Sequence, residues 1–181
     1  MRKKQSPTTL DYRNPFMEVR RTKVDFGNHR KEYFVIELGP RVGVVALRDG
    51  CVLLTRQYRF LTDAYSWEIP GGSVDQDEAP EAAAMRECLE ETGVECSGLR
   101  KLVEYYPGLD NFNNRTTVYL SDSARAAAEF RPVESEVTEI RWFPVAEAYS
   151  MVLSGTILDG LTVVALLALK AADSGAEATT L

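Results

Sequence analysis

The sequence predicts an α+β fold, an α/β/α sandwich around a mixed β-sheet with an N-terminal antiparallel hairpin. Three observations predict it. Segments rich in β-branched and aromatic residues fill the first half of the chain, one helical segment interrupts them near the middle, and two more helical segments come late. That order suits helices packed on the faces of a mixed sheet better than a doubly wound parallel one. A chain of 181 residues is long enough for one sizeable core and short for two. One domain is therefore expected over residues 16–172, with loosely held ends at 1–15 and 173–181.

Met17 to Val24 and Glu32 to Leu38 flank the turn residues Asp25-Phe26-Gly27-Asn28, a hairpin signal covering about residues 16–39. Arg41 to Leu47 and Cys51 to Arg56 flank Arg48-Asp49-Gly50, whose Asp-Gly pair favours a tight hairpin turn. Past Trp67-Glu68-Ile69-Pro70-Gly71-Gly72 the period changes. Asp77 to Thr92 reads as a helix, with Pro80 in its first turn and Gly93 as its C-cap. Strands are expected at Leu99 to Tyr106, Arg115 to Ser121 and Glu139 to Phe143, with a loop from Pro107 to Asn114. Helices close the chain at about Val145 to Leu153 and Leu158 to Ala172.

The composition, 45% hydrophobic and 27% charged, is that of a globular protein and argues against a disordered or membrane one. A formal net charge of -6 argues against a nucleic-acid polymer as partner, since binding the phosphate backbone needs a concentrated basic surface. A small anionic ligand needs only a few arginines and a metal. Met1-Arg2-Lys3-Lys4 has no apolar run behind it, so no secretory signal is read and a cytoplasmic location is expected. Cys51, Cys88 and Cys96 lack the spacing of a zinc or redox motif and read as reduced core residues. The single histidine, His29, lies in a polar turn and cannot alone build a triad.

The chemistry concentrates on the mid-chain helix. At 100° per residue, Glu87, Glu90 and Glu91 fall within roughly a 100° arc, with Ala82, Met85 and Leu89 on the opposite side. Three neighbouring carboxylates repel, and those near the helix C-terminus also oppose the macrodipole. A cation should compensate. Hard divalent ions take oxygen ligands and bridge to phosphates, so the face suits a Mg²⁺ or Mn²⁺ platform, with Arg86 four residues before Glu90 to steady it. Taken alone, such a cluster is more often a solvated acidic face.

The surrounding residues change that balance. Gly72, Glu78, Arg86-Glu87, Glu90-Glu91, Gly93 and Val94 stand at the spacing of the Nudix box, so the chain resembles the Nudix hydrolase superfamily. Cys88, at an aliphatic position, is the one departure. The resemblance implies a Nudix-type sandwich in which Glu87, Glu90, Glu91 and the Gly71 carbonyl hold Mg²⁺ (or Mn²⁺), Arg86 orients Glu90, and Glu78 is structural. It implies attack of water on a diphosphate phosphorus, with the metal neutralising charge and activating the water.

Arg56-Gln57-Tyr58-Arg59, the Trp67 to Gly72 segment, Tyr106-Pro107-Gly108 and Gly155-Thr156-Ile157-Leu158-Asp159-Gly160 are similar to the ADP-ribose pyrophosphatase and nucleoside diphosphate sugar hydrolase branch. That similarity implies hydrolysis of ADP-ribose to AMP and ribose 5-phosphate, with Arg59, Arg56, Tyr58 and Pro107 as substrate contacts. Arg56 and Arg59 stand three apart in an extended segment and should face opposite sides, and Arg59 is the one expected at phosphate. The branch places a water-activating glutamate on a loop beyond the box. The loop from Pro107 to Arg115 offers only Asp110, whereas the later run offers Glu134, Glu136 and Glu139, of which Glu136 is preferred.

A homodimer is also expected, because the N-terminal hairpin resembles an element shared between subunits in that branch. Arg41 to Val45 is expected to offer sheet edge and apolar surface beside it. The alternatives are another sugar nucleotide such as GDP-mannose, a dinucleotide polyphosphate, a non-catalytic ADP-ribose-binding regulator, or an isomerase of diphosphate esters. A regulator should have lost box carboxylates, and this chain has them all.

Overall fold

In the computed structural model, which describes residues 4–128 and 137–178, Asp49 (φ 50°) and Gly50 (φ 74°) both take the left-handed conformation. Positive φ at both central residues makes the type I′ turn that matches strand twist, as the Asp-Gly pair predicts. In chain order the elements are β1 (Lys4–Gln5), β2 (Thr9–Arg13), β3 (Glu18–Asp25), β4 (Arg30–Glu37), β5 (Arg41–Arg48), β6 (Cys51–Arg59), β7 (Ala64–Glu68), β8 (Gly71–Ser73) and α1 (Pro80–Thr92). There follow β9 (Val94–Ser97), β10 (Arg100–Tyr105), β11 (Phe112–Asn113), β12 (Thr116–Ser121), β13 (Ser123–Ala126), β14 (Val137–Pro144), α2 (Val145–Leu153) and α3 (Gly160–Ala178). They form two compact units, Met1–Pro40 with Tyr105–Arg115, and Arg41–Glu104 with Thr116–Leu181.

In the first unit, β3 and β4 form the expected antiparallel hairpin, in register from Glu18 opposite Glu37 to Asp25 opposite Arg30. Phe26 and His29 stack across its turn at 4.8 Å. β11 runs parallel to β4. Residues 4–13 depart from the expectation of a loosely held start, since β1 and β2 both pair antiparallel with β3. All five residues of β2 are exposed, so no alternation marks it as a strand. Backbone bonds and the pairs Arg13–Glu18 and Arg21–Asp11 hold it instead.

The second unit is built on a sheet ordered β10-β12-β5-β6-β14, in which β12 is parallel to β5 and the β5–β6 and β6–β14 pairs are antiparallel. β5 lies inside this sheet. The expected apolar sheet edge at Arg41 to Val45 is therefore wrong: Val42, Val44 and Val45 are fully buried. The β5–β6 hairpin splays open beyond Leu47, and β7 pairs with β6 while β8 pairs with β5. The chain crosses from one side of this wedge to the other at Ile69-Pro70. Gly71 sits so close to β5 that a Cβ there would overlap the Val42 carbonyl, which excludes any other residue without backbone movement.

Helices cover both faces of β5. Val42, Val44 and Ala46 form a core with Ala83, Ala84 and Cys88 of α1, while Gly43, pointing the other way, lies under Leu161 of α3. The α+β sandwich expected from the element order is thus the one observed. α3 runs on to Ala178, past the expected end near Ala172. The cysteines are all free; Cys88 and Cys96 are buried with their sulfurs 3.4 Å apart, and Cys51 is half-buried. No helix among the described residues is long and apolar enough to cross a membrane.

Candidate active site

Helix α1 opens on Pro80, where a missing N–H costs nothing, and closes on Gly93 (φ 67°), whose N–H donates to the Leu89 carbonyl at 2.9 Å. Its buried stripe is Ala83, Ala84, Cys88 and Thr92. Ala82 and Met85, read from the helical wheel as lying opposite the glutamates, are exposed. Small side chains let the helix settle close to the sheet, and this brings Glu87 and Glu91 to the edge of the buried stripe, leaving Glu90 exposed.

Arg86 organises the acidic face. Its Nε and one terminal nitrogen donate to the two oxygens of Glu78 at 2.9 Å each, and the same terminal nitrogen donates to the Ser73 carbonyl at 3.1 Å. The other terminal nitrogen donates to Glu87 at 2.9 Å and Glu90 at 3.2 Å. Only a planar guanidinium can serve so many acceptors in fixed directions. Its fork and the Asp75 N–H hold the Glu78 carboxyl below its usual range. Glu78 and Glu87 in turn keep Arg86 firmly cationic.

Glu91 is turned toward the wedge, where its carboxylate accepts the Gly71 N–H at 3.2 Å. Burial pushes its carboxyl up to about 7, opposed by the Gly71 N–H and reinforced by the negative charge of Glu87. Gly72 leaves the space that Glu87 uses, for a Cβ there would overlap the Glu87 carboxylate. Among the described residues no three acidic, histidine or cysteine side chains are drawn together at metal-ligand spacing. Arg86 holds two of the glutamates and Gly71 the third. The donor set nevertheless fits a hard divalent cation: three carboxylates on one helix border, the glycines of β8 against them, and a half-buried carboxyl whose ionised form is disfavoured as it stands.

The expectation that Arg56 and Arg59 face opposite sides holds. Arg59 donates through Nε to Oε1 of the buried Glu68 at 2.7 Å and pairs with its second oxygen, and its charge is felt at Glu91. Arg56 instead lies over the Tyr65 ring and pairs with Glu139. Tyr58 donates its hydroxyl to Asp63 at 2.7 Å and meets Tyr65 edge-on. At the end of β6, Tyr58, Arg59, Phe60 and Leu61 line a cleft of about 420 Å³. Glu68 was not a sequence candidate. The signal was present in the alternation of Ser66 and Glu68, both inward in a short strand, because a buried acid there demands a cation.

Pro107 belongs to the first compact unit, as does Asp110. Glu136 and Glu134 lie outside the described residues. Glu139 lies on β14, paired with Arg141 and Arg56, on the strand face away from Arg59.

Fold and site together define a protein that presents helix carboxylates, organised by one arginine, over a short glycine strand. The family model described as NUDIX domain matches residues 37–159, and the chain belongs to that family as a Nudix hydrolase. It is 33% identical over 147 residues to an ADP-ribose pyrophosphatase of Mycobacterium tuberculosis, covering 78% of this chain and 70% of that protein. It is 32% identical over 163 residues to a GDP-mannose pyrophosphatase of Citrobacter koseri, covering 85% and 84%. A CMP-5'-(N-acetyl-N-hydroxy-3-aminopropyl)phosphonate hydrolase of Streptomyces rubellomurinus is 34% identical over 143 residues, covering 78% of this chain and 68% of that protein. The crystal structure of an ADP compounds hydrolase has the same fold, with a TM-score of 0.82, 18% identity and coverage of 97% and 96%.

Proposed function

We propose that the protein hydrolyses the diphosphate of a nucleoside diphosphate derivative, ADP-ribose foremost, to AMP and ribose 5-phosphate. The observation that carries the reading is the Arg86-organised carboxylate face of α1, with the half-buried Glu91 turned onto the Gly71-Gly72 wedge. Glu87, Glu90, Glu91 and the Gly71 carbonyl would hold Mg²⁺ or Mn²⁺, which when bound neutralises phosphate oxygens and lowers the pKa of water. Arg86 ties Glu87 and Glu90 to one nitrogen and so offsets their repulsion and orients them. Arg59, braced by Glu68 and within electrostatic reach of Glu91, would meet a phosphate of the substrate; the support is its guanidinium on the side of Glu91.

The relatives support the substrate class, and the ADP-ribose and GDP-mannose pyrophosphatases among them define the two arms of the test. With Mg²⁺, a panel of ADP-ribose, GDP-mannose, other sugar nucleotides and dinucleotide polyphosphates is incubated and the products separated by chromatography. AMP released fastest from ADP-ribose supports the reading; GMP from GDP-mannose at higher kcat/KM replaces the substrate while keeping the reaction. No release from any of them refutes the hydrolase reading of the site.

Glu136 is the proposed water-activating base. Glu136→Gln should lower kcat roughly 10²–10⁴-fold with KM little changed, because base assistance acts in the transition state. Glu139→Gln should do far less, since its carboxylate faces Arg56 and Arg141. A sensitive Asp110→Asn with an insensitive Glu136→Gln would move the base to the earlier loop.

The protein is also proposed to be a homodimer joined through its N-terminal hairpin unit. The support is apolar side chains left exposed there, Leu10, Tyr12 and Phe34. Light scattering at micromolar concentration should give twice the chain mass. A monomeric mass would contradict this.

A further inference from the structure

The crossover Ile69-Pro70-Gly71 carries both the Gly71 N–H that meets Glu91 and the Gly71 carbonyl that the proposed function assigns to the metal. Three elements hold it. Val44 of β5 donates its N–H to the Pro70 carbonyl at 2.9 Å, and Gly71 donates to Glu91 of α1. The third tie comes from α3, across 93 positions of sequence: the Ile69 N–H donates to the hydroxyl of Thr162 at 3.0 Å.

Thr162 is fully buried, and its hydroxyl has a forced orientation. Ile69 supplies a proton, so the oxygen must accept there. The hydroxyl's own proton then goes to Asp159, whose Oδ2 lies 2.8 Å from Thr162 Oγ1 and also accepts the Thr162 N–H at 2.8 Å. Asp159 thus caps the first turn of α3 and sets the Thr162 rotamer with the same oxygen. A parallel tie runs beside it, from the Leu158 N–H to the Ser66 hydroxyl of β7 at 3.1 Å. Pro70 has no N–H, so the backbone of the crossover can be oriented only at Ile69 and Gly71 and through the Pro70 carbonyl.

We infer that Thr162, set by Asp159, is a positioning residue for the reaction: it fixes the Ile69–Gly71 backbone so that Gly71 presents its N–H and carbonyl to the carboxylates of α1. Sequence similarity marks the Gly155 to Gly160 segment without a role, and the hydrogen bonds supply one. A purely packing role for Thr162 would be met equally by valine, which has the same shape. A valine leaves the Ile69 N–H buried without an acceptor and releases the crossover from α3.

This inference rests on the metal reading of Gly71, and the experiment separates the two. In metal-free protein, amide hydrogen exchange is measured at Ile69 and Gly71; Mn²⁺ affinity is then measured by electron paramagnetic resonance, and kcat and KM with the substrate from the panel. For Thr162→Val the expected results are faster exchange at both amides, Mn²⁺ binding weakened about 10-fold, the lower end for losing a group that orients a ligand, and a fall in kcat larger than the change in KM. Thr162→Ser, which keeps the hydroxyl, should restore all three. Parental Mn²⁺ affinity in Thr162→Val overturns the inference, as does a Thr162→Ser that is equally defective. If Thr162→Val does not fold, Asp159→Ala carries the same test, because it frees the hydroxyl proton while leaving Thr162 in place; unchanged Mn²⁺ affinity there overturns the inference. A parent protein that binds no Mn²⁺ fails the metal reading itself, and the positioning role falls with it.

Discussion

Glu91→Gln is expected to remove turnover and, in metal-free protein above pH 7, to raise thermal stability. The loss should be at least about 10²-fold in kcat, the upper end for removing a mere orienting partner of a ligand. The gain has a separate cause. Burial pushes the Glu91 carboxyl up from its ordinary 4.5 to about 7, so the folded state favours the protonated form. A raised carboxyl value means that the contribution of this group to stability is intact below its ordinary value and is lost as pH rises through the folded one. Glutamine still accepts the Gly71 N–H but carries no charge. In EDTA at pH 8 the variant should therefore be more stable by about 1–3 kcal/mol, the range for a buried uncompensated polar group. The difference should shrink toward pH 5, and Mg²⁺ should stabilise the parent more than the variant. Differential scanning calorimetry at both pH values, with and without metal, reads all of this. Equal melting temperatures at pH 8 in EDTA would contradict the uncompensated charge, and retained turnover would contradict the metal role.

Arg86→Lys is expected to lose both stability and metal response although the charge is kept. Arginine satisfies Glu78 with two parallel bonds and also reaches Ser73, Glu87 and Glu90. A lysine ammonium has three donors on one atom and cannot span acceptors on both sides of the helix turn. Loss of the fork should lower the melting temperature, because two parallel charge-assisted bonds to Glu78 are given up and a single ammonium cannot replace them. Freed from it, Glu87 and Glu90 repel each other, and the Mg²⁺ concentration for half-maximal rate should rise roughly 10–100-fold, as for other partners that orient ligands. Thermal melts and a Mg²⁺ titration of the rate measure both effects. A variant with parental melting temperature and parental Mg²⁺ dependence would show that Arg86 is an ordinary surface cation.

The features legible in the sequence are those that local chemistry dictates. Helix α1 could be read from Pro80, its helix formers and Gly93, and the common border of Glu87, Glu90 and Glu91 from the helical repeat alone. The opposite facing of Arg56 and Arg59 followed from strand alternation. Helical periodicity failed on the buried side of the same helix. Ala83, Ala84, Cys88 and Thr92 are small or polar, so Ala82 and Met85 looked equally apolar, and only the sheet beneath decides which stripe is covered. β2 escaped notice because its five residues are all exposed and its order comes from a neighbouring backbone.

By itself, then, the sequence determined the order of the elements, the acidic border of α1 and, through the spacing from Gly72 to Val94, the family. The tertiary structure decided which partners those groups take. Long-range pairing set the interior place of β5, the wedge of β7 and β8, the bracing of Arg59 by Glu68, and the hold of Thr162 on Ile69 from 93 positions away. Each is a choice among many polar groups of similar chemistry. Residue spacing records only what one turn or one strand repeats, whereas a hydrogen bond between distant segments exists only once sheet register has put a buried donor within reach of one acceptor and no other.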